Sequence, residues 1–295
     1  MASVETLIPD ILRVLSKGTH VPNEENLKSF AVNCANEVRK SLSRDPSEFQ
    51  KLRISNIGLP DRKLWFSINY PVEKVPSEEL LDGEDYFKFL FGHIIEQLVV
   101  LLAKEAGHTI TNEQKEVVVE GVPGHIDCEV DDEAVVDVKS CSPYSFGKFK
   151  SGEVLRGDPK SDPFGYLHQI NGYRFGREQE SKKRRKAAFL CVDKSSGRMH
   201  LSMLDPVMDY RSPSKRIGEI KKFINEPIPP KEKCYEDEPM GKSGNRVLSR
   251  NCEWCMFKQE CWKDCNNGRG LKVYDYASGK KYFTHVEKEP NVEKA

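Results

Sequence analysis

GHIDCEVDDEAVVDVKS, residues 124–140, alternates apolar and charged side chains on both sides of an acidic run. Side chains along a strand point to alternate faces, so Ala134, Val136 and Val138 share one side and Val135, Asp137 and Lys139 the other. Upstream, Ile126, Cys128 and Val130 stand against Asp127 and Glu129 in the same way. With Asp131, Asp132 and Glu133 as a hairpin loop, Val130 faces Ala134, and counting outward sets Asp127 opposite Asp137. Their Cα atoms are then expected roughly 4.5–5.5 Å apart. Two carboxylates that close raise each other's pKa unless positive charge lies between them. A divalent cation satisfies both, and Lys139 adds a second positive group on the same face. The competing reading is an ordinary half-exposed hairpin with a solvated Asp–Lys pair.

The chain has 295 residues, 38% hydrophobic and 31% charged, with 46 basic and 46 acidic side chains and no formal net charge. That length allows one elaborated domain or two. Balanced charge does not exclude a nucleic-acid partner, because local distribution decides binding. Basic residues do cluster: Lys148, Lys150 and Arg156 in one stretch, Lys182 to Lys186 in another. The second run reads as a solvated helix end or strand entry. No stretch is expected to reach the ~18–20 apolar residues of a membrane span, and the N-terminus lacks the pattern of a signal peptide. An intracellular, reducing setting follows as the expectation, in which nine cysteines serve as metal ligands or buried thiols.

Helical spacing predicts helices over residues 4–16 and 24–43, and a third beginning near Pro60. A long, largely buried helix runs from Glu84 to Gly107, followed by strands near 115–121, 125–130 and 134–140. DPFGYLHQINGYRFGREQ predicts a helix capped by Asp162 with Pro163 at its first position. KAAFLCVD and RMHLSML predict a strand pair, residues 206–224 a helix, and LKVYDYASGKKYFTHV a late hairpin around Ser278 and Gly279. The expected class is α/β, a central mixed sheet flanked by helices. Its expected regions are an N-terminal helical part (1–83), the core (84–225), a cysteine segment with the terminal hairpin (226–284) and a disordered tail (285–295).

Inside the long helix, His93 and Glu96 lie three residues apart and so share a face amid Leu, Ile, Val and Phe. A lone histidine there is also compatible with a satisfied core residue. Glu96 on a helix, then Asp127, then Asp137-Val138-Lys139 resembles the PD-(D/E)XK nuclease superfamily, whose core is restriction-endonuclease-like. Within it the RecB-like branch adds a helical His near the Glu and a Gln-x-x-x-Tyr helix, matched by His93 and by Gln169 to Tyr173. The resemblance covers about residues 57–265. It implies a metal-dependent DNA nuclease with magnesium or manganese held by Asp127, Asp137, Glu96, His93 and the Val138 carbonyl, oxygen donors suited to hard cations. Lys139 would position or polarise the attacking water, and Gln169 and Tyr173 would orient the lysine or grip the strand. Tyr166, Arg174 and Arg177, with Lys148 and Lys150, are candidate DNA contacts; the solvated polar side of an amphipathic helix explains the first three equally well.

Cys252, Cys255, Cys261 and Cys265 form a Cys-x2-Cys-x5-Cys-x3-Cys array, which reads as a metal site. The first three are similar to the terminal triplet of iron–sulfur nucleases of the AddB and CRISPR-adaptation group, where a 4Fe-4S cluster staples the domain. The resemblance implies a further cysteine in a stretch similar to SNIGLPDRKLWF, where this chain has Pro60. Cys265, Cys34 or Cys234 could complete the set, around iron–sulfur or structural zinc; unligated reduced thiols are the alternative. Cys128, Cys141 and Cys191 read as buried small hydrophobes. The function expected is an exonuclease acting at DNA ends in recombination, repair or replication. Its rivals are an endonuclease using the same site and a non-catalytic nucleic-acid-binding or assembly protein. No Gly-x4-Gly-Lys-Ser/Thr loop occurs in these residues, so a helicase or annealing partner would be a separate chain.

Overall fold

The computed structural model describes residues 2–43, 50–205 and 210–294. In chain order the helices are α1 (Leu7–Lys17), α2 (Glu24–Leu42), α3 (Asp61–Asn69), α4 (Gly83–Glu105), α5 (Pro143–Lys150), α6 (Tyr166–Ser181) and α7 (Pro213–Phe223). Three single-turn helices follow: α8 (Arg250–Glu253), α9 (Lys258–Cys261) and α10 (Cys265–Gly268). The strands are β1 (Ile110–Thr111), β2 (Glu116–Val119), β3 (Val122–His125), β4 (Cys128–Val130), β5 (Ala134–Cys141), β6 (Lys186–Asp193) and β7 (Met199–Met203). Toward the C-terminus come β8 (Glu238–Pro239), β9 (Arg246–Val247), β10 (Lys272–Tyr276) and β11 (Gly279–His285). The chain divides into two compact units, Met1–Leu59 with Asp82–Lys221, and Pro60–Leu81 with Lys222–Ala295. The N-terminal 83 residues are therefore not one region: α1 and α2 belong with the sheet, and α3 with the cysteine segment.

The larger unit is built on a five-stranded mixed sheet in the order β1-β4-β5-β6-β7. β5 and β6 pair in parallel over eight positions, while the neighbouring pairs are antiparallel. Parallel neighbours need a crossover, which α5 and α6 provide. AVVDVKSC and KAAFLCVD are nearly continuous in apolar side chains, as suits strands covered on both faces. One face packs Ala134, Val136, Val138, Ala188, Leu190 and Val192 against Leu7 and Ile11 of α1 and Val99, Val100 and Ala103 of α4. α5 and α6 cover the other face, with Phe149 against Phe189 at 5.2 Å between ring centres.

The hairpin register is the one counted from sequence: Val130 pairs with Ala134, Glu129 with Val135 and Cys128 with Val136. Asp127 stands one residue beyond β4. The turn has no glycine, and Asp131 and Asp132 both adopt left-handed φ, 55° and 53°, a region aspartate tolerates better than most residues. Side-chain contacts hold it there. Asp131 accepts from the Thr109 N–H at 2.9 Å and meets His108 at 2.7 Å, while Asp132 takes Lys183 at 2.7 Å and Arg185 at 2.8 Å. The basic run at 182–186 thus meets the acidic turn, with Lys186 on Glu133.

Five local expectations are corrected. Residues 115–130 form three strands rather than two, because Glu120 and Gly121, both at positive φ, turn β2 back on β3 with Val119 opposite Val122; such a two-residue turn needs that backbone. Asp162 caps α6 through the Tyr166 and Leu167 N–H groups at 2.9 Å, but the helix starts at Tyr166 and Pro163 precedes it. α5, capped by Ser142 with Pro143 in its first turn, was hidden in what reads as a basic stretch. The tail is tied down: the Asp275 N–H donates to the Glu293 carbonyl at 3.0 Å, and Lys294 bridges to Tyr274. In the 206–224 segment the helix is Pro213–Phe223, and residues 206–209 lie outside the described ones.

One stretch also exceeds the expected apolar length: an 18-residue window within Ser77–Glu105 has mean hydropathy 1.5, enough by length and composition alone to cross a membrane. Its inner face packs on the sheet through Val99, Val100 and Ala103. α6 is positioned by the segment before α3. Gly58 and Gly165 bring two backbones into contact, where a Cβ on Gly58 would meet the Gly165 carbonyl oxygen at 2.4 Å. Ile54 fits against Gly124 and Gly172, and Arg216 holds the Ile57 and Leu59 carbonyls at 2.8 and 3.0 Å.

The smaller unit carries a four-stranded sheet, β10-β11-β9-β8. The predicted late hairpin is present, with Tyr276 opposite Gly279. Its apolar clusters are small: Trp65, Phe66, Val75 and Phe257 in one, Val247, Tyr274 and Phe283 in the other. α3 is anchored by the Trp65 indole N–H on the Glu226 carbonyl at 2.9 Å and the Asn69 amide on Ile224 at 2.8 Å.

Candidate active site

β5 presents Asp137 and Lys139 toward α6, the face opposite its apolar residues. The Lys139 ammonium lies 2.7 Å from Asp137 Oδ2. Gln169, on α6, donates to Asp137 Oδ1 at 3.1 Å and lies 3.3 Å from the Tyr173 hydroxyl, while its own carbonyl oxygen accepts from Lys139 at 3.4 Å. Residues four apart on a helix share a face, which is why Gln169 and Tyr173 arrive together. The Lys139 ammonium also sits 4.8 Å from the centre of the Tyr166 ring, a geometry that favours the charged amine.

Asp127 reaches the same place from the residue immediately before β4. Its Oδ2 accepts from the Val138 N–H at 2.7 Å. From α4, Glu96 is buried and accepts from Gln114 at 2.6 Å and Gln97 at 3.3 Å. His93, one turn earlier, stands 3.9 Å from both Glu96 and Glu37. Glu96 and Asp127 open into a cavity of about 340 Å³ whose far wall is α2, through Asn33, Asn36, Glu37 and Lys40. The Gln114 contact and the α2 wall escape a sequence reading because nothing in Gln114 or its turn marks a partner 18 residues away.

The electrostatics follow from crowding acids in a dry place. Burial, then Asp137 and Glu96, push the Asp127 carboxyl well above its ordinary range. Burial also raises Asp137, against the pull of Lys139. For Lys139 burial favours the neutral amine, but Asp137, Tyr166 and Asp127 outweigh it and hold the ammonium above the usual lysine range. Burial pushes the Tyr166 phenol up to about 12. Asp137 Oδ2 has no aligned hydrogen bond in addition to the ammonium contact. An under-coordinated buried carboxylate oxygen beside a second carboxylate fits a hard divalent cation. Among the described residues, however, no group of three or more His, Cys, Asp or Glu is already gathered around one ion position, so ligation at Asp127, Asp137, Glu96 and His93 requires the side chains to close in.

The DNA-contact candidates separate. Lys150 is exposed, and Lys148 is half-buried with its ammonium 3.4 Å from the Ser161 carbonyl. Tyr166 stacks on Phe164 and borders Lys139. Arg174 is half-buried and donates to Asn171 at 2.8 Å. Arg177 is not available to a phosphate: it is buried and donates to Glu129 at 2.9 and 3.2 Å. Its helical face looked polar in sequence because its partner is 48 residues away. In the smaller unit, Cys252, Cys255 and Cys261 line one cavity and Cys265 does not. Cys34 is on α2 of the larger unit, and Cys128, Cys141 and Cys191 are buried as expected.

No family model and no curated protein matches this chain. Among solved structures, a crystal structure of SSO0001 aligns over 77% of this chain and 93% of that one, at 11% identity and a TM-score of 0.38. A likeness that loose carries no argument about fold or function.

Proposed function

We propose that the larger unit is a metal-dependent DNA nuclease of the PD-(D/E)XK type, an exonuclease acting at DNA ends in recombination, repair or replication inside the cell. The observation that carries this reading is the half-buried Lys139 ammonium, held 2.7 Å from Asp137 and bracketed by Gln169, beside a second carboxylate, Asp127, that burial and its acidic neighbours push toward the neutral form. Bound magnesium or manganese supplies the charge neutralisation and water activation that phosphodiester hydrolysis requires. Asp127, Asp137 and Glu96 are its oxygen ligands, and His93 lies at the edge of the set. The Val138 N–H fixes one oxygen of Asp127 and leaves the other for a ligand. Lys139 stays protonated and offsets charge on the transferring phosphate, and Gln169 holds that ammonium in place. The cysteine segment is read as an iron–sulfur or zinc site that supports the smaller unit.

The test is cleavage of end-labelled linear and covalently closed circular DNA, with magnesium, manganese or chelator, beside Asp137→Ala. Metal-dependent loss of the linear substrate alone is the expected result. Cutting of the circle moves the reading to an endonuclease. Binding without cleavage under every condition moves it to a nucleic-acid-binding or assembly protein.

A further inference from the structure

The cavity in the smaller unit has a fourth cysteine in its wall. Cys234, from the irregular segment between α7 and β8, lines it together with Cys252, Cys255 and Cys261. Cys265, four residues past Cys261, lies outside; its sulfur faces the Asn266 amide at 3.6 Å on α10. The wall is cationic as well as sulfur-rich. Arg62 donates through Nε to Cys261 Sγ at 3.1 Å, Lys233 approaches the same sulfur at 3.9 Å, and Lys63 borders the cavity. Four thiolates around a centre returning two positive charges leave a double negative charge, and N–H donors and cations at the sulfurs are what such a site needs. The Lys63 backbone also hydrogen-bonds Cys234.

The second line is packing. Among the described residues the unit's apolar clusters hold four and three buried side chains, and Cys255 and Cys261 themselves pack on the first. A core this thin is usually supplemented by a staple. Cys234 precedes β8 and β9 while the other three follow them, so one centre would close a loop containing both strands.

We propose that Cys234, Cys252, Cys255 and Cys261 together bind one thiolate-ligated metal centre, a zinc ion or a four-iron cluster, and that Cys265 is not a ligand. The proposal deepens the cofactor reading above and is independent of the nuclease assignment. Loading releases the four thiol protons to solvent as the thiolates take the metal, with no change of sulfur oxidation state. The sulfurs must draw together on loading, since no group is already gathered around a single ion among the described residues.

The experiment compares the full chain with Cys234→Ser, Cys255→Ser and Cys265→Ser, purified without oxygen, by iron, acid-labile sulfide and zinc per chain and by visible absorbance. One centre per chain is expected in the wild type and Cys265→Ser, with Cys234→Ser and Cys255→Ser losing most of it. Iron with sulfide and visible absorbance marks a cluster; zinc without either marks a single ion. Full loading in Cys234→Ser, loss in Cys265→Ser, or a wild type with neither metal overturns the proposal. Should the serine variants load poorly through misfolding, cobalt titration of the metal-free chain decides. The charge-transfer band reports four thiolates in Cys265→Ser if the proposal holds and three if Cys265 is a ligand. DNA cleavage is not read, so loss of the nuclease assignment leaves this result standing.

Discussion

The two units both bury ion pairs, Arg177–Glu129 in the larger and Lys258–Glu79 in the smaller, but they differ in the apolar mass around them. The larger one gathers fourteen buried apolar side chains into a single cluster across its sheet, and that mass lets it keep Asp137, Glu129, Glu96 and Arg177 dry. Among the described residues the smaller one's clusters hold four and three such residues, and beside its set of thiols it buries the Lys258–Glu79 ion pair. A large core supports a buried, charged site; a small one needs added bonds to hold its own shape. The same sulfurs and carboxylates would have no such meaning if exchanged between the two settings.

The sharpest way to break the comparison is at the charged site. Asp137→Ala and Lys139→Ala should each lower DNA cleavage by roughly three orders of magnitude or more while far-ultraviolet circular dichroism stays unchanged; near-normal cleavage in both would remove the catalytic role of β5. Next in size is the structural pair. Arg177→Ala leaves Glu129 buried without its main partner and should cost the larger unit about 3–5 kcal/mol, read by urea unfolding with a tryptophan-independent probe. A loss near zero would mean that Arg185, 3.6 Å from the same carboxylate, takes over.

In the smaller unit, Cys255→Ser should lower a separate thermal transition by about 5 °C or more and leave divalent-cation affinity at the carboxylates unchanged. Equal melting of variant and wild type would rule out a staple. The smallest effect is a pH dependence confined to the larger unit. Burial, then Arg216 and Arg211, push His168 down to about 4, below its value of about 6.5 in an unfolded chain. The unfolded chain therefore binds the extra proton between those values, and stability is full above about 6.5 and falls as pH drops toward 4. His168→Asn should flatten that slope in thermal melts from pH 7 to 4.5; an unchanged slope assigns it to other groups.

The strand register was legible before the fold. The alternation in AVVDV and the count across Asp131–Glu133 specified the Val130–Ala134 pairing, which sets Asp127 just before β4 with one oxygen on the Val138 N–H. The Gln-x-x-x-Tyr spacing specified that Gln169 and Tyr173 would face the same way. By contrast, α5 was concealed because its lysines resemble a binding patch, while Phe146 and Phe149 are the residues that bury it. Arg177 looked like a surface cation until its carboxylate partner was known.

What the sequence determined by itself is therefore periodic and local: strand faces, helix faces, caps and the hairpin register, because backbone geometry imposes fixed repeats of two and 3.6 residues that a pattern either matches or does not. Only the tertiary structure decided which groups meet across long separations: Gln114 on Glu96, Arg177 on Glu129, Arg62 on Cys261, and Cys234 beside the cysteine triplet in place of Cys265. Those contacts depend on how whole elements pack, and many partners of equal chemistry are available in the chain, so no repeat or spacing singles out the one that packing selects.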